Sequence, residues 1–487
     1  MTALSAAPRA ELRPRTRLVG GLRERGIGAS ILVAALTAGF GVFLVEVTVY
    51  IGALLQADPY IGDSDTLALV VAILSVLLVG VAMYVAAIVT ANTFSTIIAG
   101  RIRQIAMLRL LGASARSQRS RVAAQGLAVG SIGAGIGLVV GLAASGAGAA
   151  IGERMLERAP AGFSLAQPGI LLPAVGVILT TWAAAWIGAR RVLTVTPLQA
   201  LGSSIERTHD EVASGRARHV GALLLIIAGT GMLVFGVMIG LVSPLGVVVA
   251  FLGGLLSFAG ISMGAAMVMP PVLRLVGRLF GDSAPARLAA ENALRHPERS
   301  SRMAIGVVMG VALVTMFAVA MESAKALLLR QTDGPDAAMF LAPMEAFATV
   351  MMVLVAVSAV IAAVGLVNLL TIGVVQRRRE LGLLRAIGLT SGQVRLTVLF
   401  EAVHVTLAST VVGLALGIAY GWVGAQSLLG AVPVLPDFEP AGLVPPAVPW
   451  LPLAAVVAAM ALLTLIAAVA PTRLATRVTP VEALAAD

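Results

Sequence analysis

Ten apolar runs, each long enough to cross a lipid bilayer, limit what this chain can fold into. They lie at roughly Ile27 to Leu54, Leu67 to Ile98, Val122 to Ile151, Gly169 to Gly188, Val220 to Leu241, Pro244 to Val268, Met303 to Met321, Ala346 to Val375, Val398 to Gln426 and Trp450 to Ala470. About 20 apolar residues span a hydrocarbon core. Backbone polar groups in lipid must be satisfied within the segment, which makes runs of this length helices. The expectation is an all-α polytopic membrane protein with ten transmembrane helices. Only 12% of the residues are charged and 59% are hydrophobic, against roughly 25% charged in a soluble domain. The second and eighth runs approach ~30 residues and at ~1.5 Å per residue should project beyond the lipid.

Charge orients the helices. All the basic residues except Arg154, Arg158, Lys325 and Arg330 fall on one side, together with both ends of the chain. Lysine and arginine favour the cytoplasmic side of a membrane, so both termini are expected there. Acidic residues such as Asp58, Asp63, Asp65, Asp333 and Asp336 lie on the other side. Residues 1–26 hold six arginines and lead into a run too long for a signal-peptide core, without a small-residue cleavage site, and are expected to stay in the cytoplasm. The net charge of +10 comes in small groups between apolar runs, a pattern of membrane topology and not of nucleic-acid binding.

Chemistry-bearing residues are sparse. With no cysteine, disulfides, thiolate nucleophiles and thiolate metal sites are excluded. The single lysine, Lys325, sits in MESAKALL without the glycine-rich loop that cradles nucleotide phosphates, so ATP hydrolysis by this chain is not expected. His209, His219, His296 and His404 are scattered. No catalytic residue and no metal site is assigned.

A short stretch occurs twice: GRIRQIAMLRLLGAS from Gly100 to Ser114, and VQRRRELGLLRAIGLT from Val375 to Thr390. Arg109 pairs with Arg385 and Gly112 with Gly388 at one common offset. Each copy reads as an interfacial helix, with Ile105, Leu108 and Leu111 or Leu381, Leu384 and Ile387 on one side and arginines around the remainder. Gly112 and Gly388 stand where a left-handed cap would end that helix, and Thr390 with Gln393 resembles a capping box opening the next. Ser114 to Gln118 departs from that capping pattern.

The repetition extends further, with Arg25 matching Arg302 and Gln125 matching Glu401. Each copy closes alike, in RRVLTVTPLQAL (Arg190, Pro197, Leu201) and RLATRVTPVEAL (Arg473, Pro480, Leu484). The organisation expected is a cytoplasmic N-terminus at 1–26, a four-helix unit at 27–201, a linker at 202–219, two connector helices at 220–268, an amphipathic connector at 269–302 and a second four-helix unit at 303–484. Both units start and finish on one side and are parallel copies, unlike an inverted-repeat transporter.

These residues resemble the FtsX-like or MacB-type permeases of ATP-binding-cassette systems. The resemblance rests on RQIAMLRLLGAS, RRELGLLRAIGLTSGQV, the TPLQAL and TPVEAL endings and the four-helix unit. The layout of two FtsX-like repeats around two extra helices looks most like the permeases of bacitracin-type peptide-resistance transporters. The chain lacks the large extracytoplasmic domain of such relatives, since the corresponding loops run only from about Gln56 to Thr66 and Glu322 to Glu345.

The resemblance implies a multi-pass permease subunit in a bacterial plasma membrane, exporting or extracting an amphipathic, lipidic or peptide-antibiotic-like compound. It implies mechanical coupling to a separate ATPase dimer that holds ATP and Mg, with no cofactor in this chain. The coupling residues would be Gln104, Arg109, Gly112, Arg379, Glu380, Arg385 and Gly388. Two units in one chain suggest two ATPase copies per permease, related by a pseudo-two-fold axis, with the connector helices at the periphery and a permease homodimer less favoured. The arginines can also contact anionic membrane lipids. A non-transporting regulator of a cell-envelope partner, or an ion-coupled transporter, are the alternatives.

Four polar groups fall within apolar runs: Glu46, Gln125, Glu401 and His404. An unpaired charge at the bilayer centre costs about 3 kcal/mol or more. Glu401 near one helix end and Glu46 near the other could reach the headgroups, could bond structurally, or could bind cargo or a proton. For Glu401 the structural reading is the stronger, while for Glu46 the readings balance. The glycine runs of the third and ninth segments are expected to let helices pack closely.

Overall fold

The computed structural model of the chain describes residues 27–56, 114–156, 167–189, 209–281, 283–295, 297–329, 378–431, 433–434, 439–440 and 442–477, with isolated positions between 73 and 107 and at 164–165. The described helices are α1 (Ile27–Gln56), α2 (Ala115–Leu156), α3 (Leu171–Gly188), α4 (His209–Gly240), α5 (Gly246–Met263), α6 (Ala265–Gly277), α7 (Ala284–Arg295), α8 (Pro297–Leu329), α9 (Arg378–Ala386), α10 (Ser391–Leu429) and α11 (Trp450–Arg477). Two-residue strands, Pro433–Val434 and Glu439–Pro440, pair between α10 and α11.

Seven of these helices, α1 to α5, α8 and α10, are long and apolar enough to cross a membrane. The apolar part of α11, Trp450–Ile466, is shorter. The second and eighth apolar runs lie almost wholly outside the described residues, so the count of ten stands as an expectation. Several boundaries differ from those read in the sequence. The sixth run ends at Met263, where Gly264 separates α5 from the amphipathic α6. α4 starts at His209 and α8 at Pro297, so polar turns continue directly into the membrane-spanning helices.

Close glycine contacts set the helix pairs. A Cβ on Gly133, Gly137 or Gly141 of α2 would lie 3.1 Å from the Ile31 carbonyl oxygen, 2.6 Å from Ala38 Cβ and 2.9 Å from Val42 Cβ of α1. On α10, Gly413, Gly417 and Gly421 approach α8 in the same way, at 3.0 Å from the Val308 oxygen, 2.7 Å from the Ala312 oxygen and 3.0 Å from Val319 Cβ. Numbers rise together on both partners, so α1 runs parallel to α2 and α8 parallel to α10. Small residues permit this approach where lipid offers no hydrophobic drive for helix association.

The two glycine stripes are not placed alike along their helices. α2 begins at Ala115 and α10 at Ser391, and the path from helix start to first crossing glycine is one turn longer in α10. That turn adds about 6 Å to α10 on the side of its N-terminus. Around this extended end the chain wraps α6 and α7: Ser301 Oγ donates to the Ala265 carbonyl at 3.0 Å and Ser300 Oγ to Ala293 at 2.9 Å. Met269, Leu273 and Val276 of α6 and Ala293 of α7 are buried with Ala402 and Val405 of α10 in the largest core cluster.

The expectation that the connector helices sit at the periphery is only half met. α4 and α5 form a hairpin so tight that a Cβ on Gly236 would lie 2.6 Å from the Ala250 nitrogen. Outward residues of α4 such as Leu224, Ile227 and Phe235 are exposed. α5, in contrast, bridges the halves. Phe251 packs over Gly80, Tyr84 donates to the Leu255 carbonyl at 2.9 Å, and Ser257 Oγ bonds the Tyr420 hydroxyl of α10. Apolar surface on α5 is therefore shared between the second run of one half and α10 of the other.

Candidate functional site

The second copy of the repeated stretch is the amphipathic helix α9. Leu381 is buried against Val394 and Val398 of α10, with Leu384 and Leu389 packed at the edge. Ile387, assigned in the sequence to the same apolar side, instead points outward at 69% exposure, as does Leu383 at 54%. Leu383 and Ile387 thus leave apolar surface uncovered, beside the exposed Glu380 and the half-buried Arg385.

Gly388 ends α9 with φ of 110°. The Leu389 amide donates to the Leu384 carbonyl at 3.1 Å and the Gly388 amide to Arg385 at 3.2 Å, closing the last turn in the manner of a Schellman motif. A Cβ at Gly388 would meet nothing within 4 Å, so glycine is needed there for its backbone and not for space. The expected capping box follows at once: Thr390 Oγ1 accepts from the Gln393 amide at 3.2 Å, and Gln393 Oε1 accepts from the Thr390 amide at 2.9 Å. Two reciprocal bonds and a positive φ hold α9 at a defined angle to α10.

In the first copy, Gln104, Arg109 and Gly112 lie outside the described residues, as does the side chain of Arg379. The helix start that follows them differs from its counterpart. Ser114 Oγ accepts from the Ser117 amide at 3.2 Å, and Ser117 stands where α10 has the reciprocating Gln393.

Of the intramembrane candidates, Glu46 is buried at 1% exposure, and its Oε2 has no hydrogen-bond partner among the described residues. Ser323, the residue that matches Glu46 in the second half, accepts instead from the Ala447 amide at 3.2 Å. Glu401 is likewise buried, at 4% exposure. One turn on, the fully buried His404 places Nε2 2.7 Å from the Leu273 carbonyl. A carbonyl only accepts, so Nε2 carries the proton. The ring also packs on Phe280 at 5.2 Å. Glu401 and His404 therefore share a neighbourhood with α6, while Glu46 and the half-buried Gln125 lie on helices of the first half. The tie from His404 to α6 gave no signal in the sequence, because it joins a side chain to a backbone carbonyl far away in the chain.

At the end of α10, Trp422 Nε1 donates to the Val444 carbonyl at 2.6 Å, and Gln426 Oε1 accepts from the Val444 amide at 3.0 Å. With Ser323, these residues pin the segment that leads into α11.

Apolar membrane-length helices, paired through glycines and carrying a docked amphipathic helix at their charged end, define a multi-pass helical membrane protein. A model of the FtsX-like permease C-terminal family matches residues 66–197 and again 352–480, together more than half of the chain, and the chain belongs to the FtsX-like permease family. Over 128 residues it is 27% identical to the Bacillus subtilis (strain 168) protein named "Uncharacterized ABC transporter permease YknZ". That match covers 26% of this chain and 29% of the relative, under a third of the relative's length.

Proposed function

We propose that this chain is the permease subunit of an ATP-binding-cassette exporter or extractor, coupled mechanically to a separate ATPase that holds ATP and Mg. The observation that carries this reading is α9, fixed on α10 by the Gly388 turn and the Thr390 capping box while Leu383 and Ile387 stay uncovered. A helix held rigidly with an apolar strip and flanking charges outward suits a partner surface and not a core. The family match falls on both copies of the stretch, and the similarity to an ABC transporter permease gives the kind of partner.

Two copies per chain support two ATPase subunits per permease, with both termini and both docking stretches in the cytoplasm of a bacterial cell. The bridging α5 and the glycine-paired helices would carry the ATPase movement into the membrane. The cargo class that fits is amphipathic or lipidic, a peptide antibiotic included, entering from the bilayer. The test is purification of the full chain with an ATPase and reconstitution of both. Nucleotide hydrolysis that rises on assembly and falls in Gly388→Val supports the reading. An ATPase that neither copurifies nor responds would refute it.

A further inference from the structure

Two hydrogen bonds fix how α6 lies. Ser301 Oγ of α8 donates to the Ala265 carbonyl at the start of α6, and His404 Nε2 of α10 donates to the Leu273 carbonyl further on. The packing of α8 on α10 gives the level of each anchor. Gly413, Gly417 and Gly421 meet Val311, Thr315 and Val319, and the same step carried towards the N-termini sets His404 opposite Arg302, beside Ser301. The two anchors are therefore level along the pair, although the stretch of α6 between them is about 12 Å long. α6 separates from α5 at Gly264 and crosses α8 and α10 instead of running along them. Gly277 and Phe280 stay at that level, against the His404 ring. The apolar span of α8 begins at Met303, next to these anchors, so α6 lies in the plane where hydrocarbon gives way to headgroups.

The two long sides of α6 differ. Met269, Leu273 and Val276 are buried in the core. Away from it, Met267, Leu275 and Leu279 are exposed at 53%, 61% and 76%, beside the exposed Arg274 and Arg278. Neither arginine makes an ion pair or hydrogen bond among the described residues. No acidic residue occurs in the sequence from Val212 to Gly281. A helix in the membrane plane that turns leucines and arginines outward together matches an anionic leaflet: acyl chains cover the leucines, and phosphate accepts from the guanidinium groups.

We propose that the outward face of α6 is a binding surface for anionic phospholipid, in the leaflet at the N-terminal ends of α8 and α10. Leu275 and Leu279 enter the upper acyl region, while Arg274 and Arg278 hold headgroup phosphates. Because His404 ties α6 to α10, lipid held there also steadies the helix on which α9 is fixed.

The test uses the full-length chain in lipid nanodiscs with a single cysteine, Leu279→Cys, carrying an environment-sensitive fluorophore; the chain has no other cysteine. Phosphatidylglycerol with a nitroxide on its upper acyl chain should quench the probe, and iodide in the water should not. Phosphatidylcholine labelled in the same way and at the same mole fraction should quench less. Arg274→Gln and Arg278→Gln should each lower the preference for phosphatidylglycerol about five-fold, the effect of losing one interfacial cation. The proposal is overturned if iodide quenches the probe while neither lipid does, since the face then meets water as a protein-docking surface would. It is equally overturned if the two labelled lipids quench alike, or if both arginine variants keep the original preference.

Discussion

Tyr84 and Tyr420, one from each half of the chain, are both held by α5: the first donates to the carbonyl of Leu255, the second shares a hydrogen bond with Ser257 two residues on. Phe258 meets the Tyr84 ring edge-on at 6.1 Å. Movement of either half relative to the other must therefore slide past, or carry along, the same turn of α5. Tyr84→Phe and Tyr420→Phe should each cost about 1 kcal/mol, as intramembrane hydrogen bonds do. Thermal unfolding in lipid nanodiscs would measure it, and two unchanged midpoints would show that the bridge is incidental.

The glycine stripes give a sharper contrast. Gly417→Ala pushes a methyl into Thr315 and the Ala312 carbonyl, and Gly137→Ala does the same against Ala38. Overpacking of this kind costs about 1–3 kcal/mol. Gly135 and Gly424, on the same helices, face nothing within 4 Å, and their alanine variants should be neutral or slightly stabilising. Equal stability across the four variants would contradict the helix pairings.

Gly388→Ala must hold an L-residue at positive φ, at about 1–3 kcal/mol. Thr390→Ala removes one reciprocal cap bond at about 1 kcal/mol. Both changes loosen α9 while the membrane helices persist. The expected outcome is normal membrane insertion with weakened ATPase association, read by copurification, and the larger loss in Gly388→Ala.

His404→Ala removes the tie to the Leu273 carbonyl and opens a gap beside Phe280. About 2 kcal/mol of local stability should be lost. Amide exchange in α6 should quicken more than in α4. Unchanged exchange across residues 265–277 would argue that α6 is held by its apolar face alone.

Cysteine scanning starts from a chain without cysteine. Residues at positions 63 and 325 should react with an impermeant reagent added outside whole cells, and those at 209 and 385 only after permeabilisation. The opposite pattern would invert the charge-based orientation.

Hydropathy fixed the broad class, because a run of apolar residues in lipid has no alternative to the helix. The positions of α1, α3 and α10 follow from those runs, and the Gly388 turn with its Thr390–Gln393 capping box follows from local rules acting over a few residues. The parallel pairing of α1 with α2 and of α8 with α10 agrees with the repeat. Tertiary structure decided the rest. Repetition aligned α2 with α10 at one offset, yet the glycine contacts sit one turn further along α10, because register is set by which backbone comes closest. Ile387 faces outward and not onto α10, since the face α9 buries is chosen by its neighbour and not by its own periodicity. Likewise, the burial of Glu46, the bond from His404 to Leu273, the bridge through α5 and the stacking of Arg119 on Trp186 join residues far apart in the chain, whose meeting depends on helix packing that no local pattern encodes.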